Sequence, residues 1–261
     1  MGRPREARVH EDPTYPPPGR PETDPDAGRA TGSPPPGPDG PWRPREGVRV
    51  LAGTLCVLAL MMVVLKLLLV LDRSLGHPHG LRQASIPMAF FVVAAPFLAW
   101  TLRRPGPDRD WLRLGRPAPG SAGRLAGIAA LGLVVTAAAA LLCSLLPGFR
   151  NLMQDQAALA GWKTAPELAR AVVLLAVLPA LAEELYFRGY LLQRLGRCWG
   201  PRVGLLVQAA IFGAMHGPAA PVATVLGLTN GAMVLASGSL WPGMVLHFLN
   251  NLLVVAALKG S

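Results

Sequence analysis

The stretch "VLAGTLCVLALMMVVLKLLLVL" (residues 50–71) carries a single charge, Lys66. A bilayer core takes roughly 20 apolar residues to cross, so this run is long enough to span. It is continuously apolar rather than alternating, which favours a helix over a barrel strand. Six further apolar runs follow, over about 84–102, 125–146, 168–187, 203–216, 221–237 and 240–258. The fifth and sixth are short, and Gly217 and Pro218 separate them, since both residue types interrupt helices. The expected fold is therefore all-α: a polytopic membrane helical bundle of about seven transmembrane helices around a polar cavity.

Composition agrees. The chain is 51% hydrophobic and only 15% charged, against about 25% charged in a soluble domain. The formal net charge of +10 reads as membrane topology, because the arginines gather in loops between apolar runs. Arg43, Arg45 and Arg49 precede the first span. Arg103, Arg104, Arg109, Arg113, Arg116 and Arg124 follow the second, and Arg194, Arg197 and Arg202 follow the fourth. The loops around 72–83 and 147–166 carry fewer. This pattern predicts a multi-pass protein with a cytoplasmic N-terminus. The Ala-, Arg-, Gly- and Pro-rich composition suggests a GC-rich bacterial genome, hence a bacterial inner membrane. Aromatic residues are sparse, so no stacking platform for single-stranded nucleic acid is expected.

Residues 1–47 differ from the rest. They are rich in Pro, Gly and mixed charge and cannot bury a core. They lack the apolar core of a signal peptide near the start. The expectation is a disordered cytoplasmic tail over 1–47 and a transmembrane domain over 48–261, its motif-bearing part at 168–255. Cys56, Cys143 and Cys198 lie far apart without metal-ligand spacing, and read as reduced packing residues.

Against this apolar background "PALAEELYFRGYLL" (residues 179–192) is anomalous. It sets Glu183, Glu184 and Arg188 near a membrane helix. Each charge at mid-bilayer costs about 2.5–3.5 kcal/mol, less near an interface. Glu184 and Arg188 stand four apart with the acid first, the favourable order for a helical ion pair. Glu183 points about 100° away and meets Phe187 at i+4, so it has no such partner. Pro179, one turn earlier, loosens the helix and lets water approach. A plainer reading is a charge cluster at a helix end, snorkelling to headgroups.

Two other polar sites favour a shared pocket. "QAAIFGAMHG" (208–217) puts His216 four residues after Phe212, and "WPGMVLHFLNN" (241–251) puts His247 four residues before Asn251. His247 and Asn251 share one helix face. Polar groups in lipid seek one another. His77 and His79, in "GHPHG", read as solvated loop residues. A carboxylate facing such a pocket can take a proton from water. A histidine can orient that water or protonate a leaving amine, and an imidazole and an amide can donate to an oxyanion. No GxSxG motif supplies a covalent nucleophile.

Together these pieces resemble the CPBP intramembrane glutamic endopeptidases, a family that includes type II CAAX prenyl endopeptidases and bacteriocin self-immunity proteins. Its EExxxR is similar to Glu183, Glu184 and Arg188. Its FxxxH is similar to Phe212 and His216, and its HxxxN/D to His247 and Asn251. The order is the same, over about residues 168–255. The resemblance implies Glu183 as the water-activating base with His216 beside it, His247 and Asn251 as the oxyanion site, and Glu184 with Arg188 in support. It implies no cofactor and no metal. It also implies a peptide or protein substrate, often cut near its C-terminus and in some cases lipidated, which enters from the membrane or cytosol.

Two other readings stay open at this level. Three Glu and His side chains could ligate zinc, although HExxH is absent. A non-catalytic immunity or partner-binding protein could keep the same polar cluster. A transporter is disfavoured by the lack of an internal repeat. Substrate identity and oligomeric state are not legible in the residues.

Overall fold

The computed structural model describes residues 43–75, 112–160 and 162–257, with scattered helical positions between 89 and 103. Residues 1–42, His77 and His79, and most of the expected second span lie outside the described residues. The chain divides into two units, 1–35 and 36–261, and all that follows concerns the second.

Helix α1 runs Pro44–Ser74. It begins inside the last residues assigned to the tail, with proline at its first position, where a missing N–H is harmless. Then come α2, Ala122–Ser144, and α3, Pro147–Ala160. The sequence reading had placed α3 in a loop, because its polar residues break the apolar run. Helix α4 occupies residues 165–199, well beyond the expected 168–187. Helices α5 (Pro201–Ala214), α6 (Ala220–Ser237) and α7 (Trp241–Ala257) complete the bundle. A single turn of tight helix, Gly217–Ala219, joins α5 to α6 where Gly217 and Pro218 were expected to break the chain.

Three of these helices are long and apolar enough to cross a membrane: Pro44–Asp72, Ala122–Ser144 and Gly217–Ser237. Pro201–Ala214 and Trp241–Ala257 are apolar but shorter. The expected count of about seven spans thus stands at three among the described residues.

Burial is inverted relative to a water-soluble protein. Helices α1 and α2 bury only 11% of their apolar stretches, against 44% for the α6 stretch. Leu60, Leu67 and Val70 of α1 and Leu131, Val134 and Leu141 of α2 face outward. Meanwhile Glu184, Arg188, Gln208, Asn230 and His247 are buried. Apolar outside and polar inside is the arrangement a hydrocarbon solvent selects. Helix α6 lies at the centre, packed against α2, α5 and α7. Close approach of α2 depends on Gly132, whose added Cβ would overlap the Thr229 side chain.

Helix α4 changes pitch twice. Val172–Val177 and Glu184–Leu191 are π-helical, separated by the α-helical Leu178–Glu183. At the end of each wide stretch an N–H reaches five residues back, Leu178 to the Val173 carbonyl and Leu192 to the Phe187 carbonyl. Pro179 stands two residues after the first wide stretch. Proline lacks an N–H and crowds the preceding turn, and a widened turn relieves both. The second wide stretch begins at Glu184, and such insertions recur at functional sites.

Candidate active site

The second π stretch sets the geometry of the charged motif. Arg188 Nη1 lies 2.9 Å from Glu184 Oε1, and both side chains are fully buried. The expected pair therefore forms, although its contact is not aligned as a hydrogen bond. The guanidinium also lies over the Phe212 ring, 4.3 Å from its centroid. Cation–ring contact is strongest where water is excluded, which suits this position. Behind it, Gln193 donates to the Arg188 carbonyl at 3.1 Å and accepts from Arg113 Nε at 2.8 Å. The segment preceding α2 thus braces α4.

Groups from three helices converge on one oxygen, Glu184 Oε1. Arg188 of α4 faces it as an ion-pair partner, while Asn230 Nδ2 of α6 at 2.9 Å and His247 Nδ1 of α7 at 2.8 Å donate to it. Gly243, one turn before His247, leaves room for the carboxylate. A Cβ there would stand 3.3 Å from Glu184 Oε2 and 3.4 Å from Asn230 Cβ.

Glu183 behaves differently from its neighbour. Its side chain is 17% exposed, and its Oε2 lies 3.7 Å from His247 Nε2. One imidazole therefore sits between both acids of the doublet. Since Glu184 as a carboxylate only accepts, the Nδ1 of His247 carries the proton of that bond.

His216 is half-buried. Its Nδ1 lies 2.7 Å from the Phe212 carbonyl. A carbonyl only accepts, so Nδ1 donates and the neutral ring presents Nε2 as an acceptor. No direct hydrogen bond or ion pair joins His216 to Glu183 among the described residues. Phe212 links the two imidazoles instead, with centroids 4.5 Å from His216 and 5.9 Å from His247. Asn251 is half-buried, and its Oδ1 accepts from Asn250 Nδ2 at 3.5 Å. The structure thus joins Glu183, Glu184, Arg188 and His247 directly and brings His216 in through Phe212. Asn251 stands one turn beyond His247.

Asn230 was not among the residues singled out in the sequence. It lies in mid-helix on an otherwise apolar span, as does Gln208, whose Nε2 donates to the Gly227 carbonyl at 2.9 Å. An isolated amide in a membrane helix is itself a sign of an internal partner. That signal was present for both. Which partner each would meet was not.

Residues 165–253 match the family model described as type II CAAX prenyl endopeptidase Rce1-like. This match supports the CPBP/CAAX protease family for that segment of the chain. All three motifs fall inside the Rce1-like segment, from Glu183 to Asn251, and so do Asn230 and Gly243. The match supports an intramembrane CAAX-type endopeptidase in general terms. No curated protein and no solved structure matches the chain. Among the described residues, no group of three His, Cys, Asp or Glu side chains is arranged to hold a metal ion.

Proposed function

We propose that the chain hydrolyses a peptide bond of a membrane-associated protein or peptide, with a water molecule activated by Glu183 as the nucleophile. Glu183 takes one proton from this water, and His216, through its free Nε2, orients it. The water oxygen attacks the carbonyl carbon and the carbonyl oxygen becomes an oxyanion. His247 and Asn251 donate to that oxyanion. The proton held by Glu183 passes to the leaving amine as the C–N bond breaks. His247 donates from Nε2 only when its ring holds both protons, because Nδ1 is committed to Glu184. The buried Glu184–Arg188–Asn230 cluster fixes that ring.

The observation that carries this reading is His247 set between a fully buried acid at 2.8 Å and a partly exposed one at 3.7 Å. An acid locked by two donors and a buried guanidinium is suited to support, and one with access to solvent is suited to proton transfer. The substrate we propose is a C-terminal region, lipidated or not, that reaches the pocket from the membrane or the cytosol. We place the protein in a bacterial inner membrane with its N-terminus cytoplasmic.

The test compares the C-termini of membrane-fraction proteins in cells carrying the native chain and cells carrying Glu183→Gln. New C-termini that vanish with the variant support the proposal. An unchanged cleavage pattern overturns it.

A further inference from the structure

Away from the motif pocket, three helix ends bring arginines together. Helix α1 begins with Arg43, Arg45 and Arg49. Helix α4 ends with Arg194 and Arg197, and α5 begins with Arg202. The Arg43 N–H donates to the Cys198 carbonyl at 2.9 Å. Four residues on, Gly47 is pressed so closely on the Trp199 indole that a Cβ would overlap the ring. The left-handed Gly200, φ 87°, turns the chain directly from α4 into α5. The ends are therefore fixed together.

Burial is the main influence that pushes the Cys198 thiol up, and the nearby charges of Glu46, Arg194, Arg43 and Arg197 act on it as well. Arg43, Arg45, Arg49, Arg197 and Arg202 are exposed. Glu46 lies 3.5 Å from Arg43 and pairs with it. Among the described residues, Arg43, Arg45, Arg49 and Arg202 against Glu46 leave a local excess of positive charge.

The location decides what would neutralise it. Helix α1 is apolar enough to cross a membrane from Pro44 onward, so its first turns stand at a membrane boundary. Trp199, on the same corner, is a residue type enriched at that depth. A guanidinium offers two parallel donors that match a phosphodiester. We propose that the corner formed by the start of α1, the end of α4 and the start of α5 is a binding site for the headgroups of anionic phospholipids. An occupied site clamps α1 to the end of the helix that carries Glu183 and Glu184. The inference does not depend on the proteolytic reading.

The test uses the full chain purified in a neutral detergent and examined by native mass spectrometry. The probes are dioleoyl phosphatidylglycerol, dioleoyl phosphatidylcholine and inorganic phosphate. The native chain is expected to retain phosphatidylglycerol in preference to phosphatidylcholine. Arg45→Gln/Arg49→Gln/Arg202→Gln is expected to lose that retention by about tenfold or more, given the strength of basic residues near anionic surfaces. A control, Arg150→Gln/Lys163→Gln/Arg170→Gln, removes equal charge elsewhere and is expected to change little. The single variants Arg45→Gln and Arg202→Gln, each on an exposed side chain, are expected to show smaller losses in the same direction if the triple variant does not fold. Equal loss in the control, no loss in any arginine variant, or competition by inorganic phosphate at equal concentration overturns the proposal. So does binding of an acidic protein from the same membranes without lipid retention.

Discussion

His247 and Glu184 are 63 residues apart in sequence and 2.8 Å apart in space, both inside the bundle. This bond joins α7 to α4, and Asn230 of α6 shares its acceptor. A membrane interior offers no water to satisfy a lone acid, so each of these groups depends on the others.

Breaking the Glu184–Arg188 pair one side at a time leaves an uncompensated buried charge. Arg188→Met is expected to cost about 3–5 kcal/mol of stability. Glu184→Gln/Arg188→Met, which removes both charges, is expected to recover most of that loss. Thermal unfolding in detergent measures both. Equal destabilisation in the single and double variants would show that the pair is not coupled.

Asn230→Leu removes one of the two hydrogen-bond donors to Glu184 Oε1. A hydrogen bond to a charged group is worth about 1.5–3 kcal/mol, and the loss is expected in that range. Asn230→Asp is expected to be worse, since it sets a second acid 2.9 Å from the first. A well-tolerated Asp at 230 contradicts the arrangement.

The two histidines are expected to separate. His247→Gln disturbs a buried hydrogen bond and lowers both stability and cleavage. His216→Gln loses one bond, to a backbone carbonyl, and is expected to lower cleavage by roughly 10²–10⁴-fold, the range for a general acid–base group. Its unfolding temperature should stay near that of the native chain. Cleavage of a membrane substrate and unfolding, measured side by side, distinguish the two.

Gly243→Val brings bulk against Glu184 Oε2, already 3.3 Å from an added Cβ. Overpacking of this kind costs about 1–3 kcal/mol. Gly53, with open space around its Cβ position, provides the comparison, because Gly53→Ala is expected to be harmless or mildly stabilising. A silent Gly243→Val would mean that the carboxylate is not confined there.

At the start of α4, the Glu167 carboxylate accepts from the Lys163 N–H at 2.9 Å and the Thr164 N–H at 3.0 Å. The Lys163 bond is the largest of the influences that hold its pKa below the usual carboxylate range. A group depressed on folding stabilises above its unfolded value and loses that contribution as pH falls through the folded one. Protection of the 165–171 amides, relative to their intrinsic exchange rates, should therefore fall as the pH is lowered through the acid range in the native chain. In Glu167→Gln that protection should be low throughout, without the step.

The apolar runs and the three motifs were legible in the residues, because chain length against bilayer thickness and charge against apolar surroundings are local properties. So was the Glu184–Arg188 pair, which needs only a helical spacing. The extent of α4 was not legible, nor was its widening at Glu184. Pitch follows from how Pro179 and the packed aromatic rings are accommodated, and those contacts are distant in sequence. Helix α3 was missed because its polarity matched a loop as well as a helix.

From the sequence alone one learns that this chain prefers hydrocarbon to water and that a few titratable groups are left inside it. Only the tertiary structure decides which of them meet. It makes Asn230 a second donor to Glu184 beside His247 and places His247 between the acids, with His216 reached through Phe212. The reason is physical: period and polarity state that a buried charge needs a partner, and only the packing of one helix on another selects the atom that supplies it.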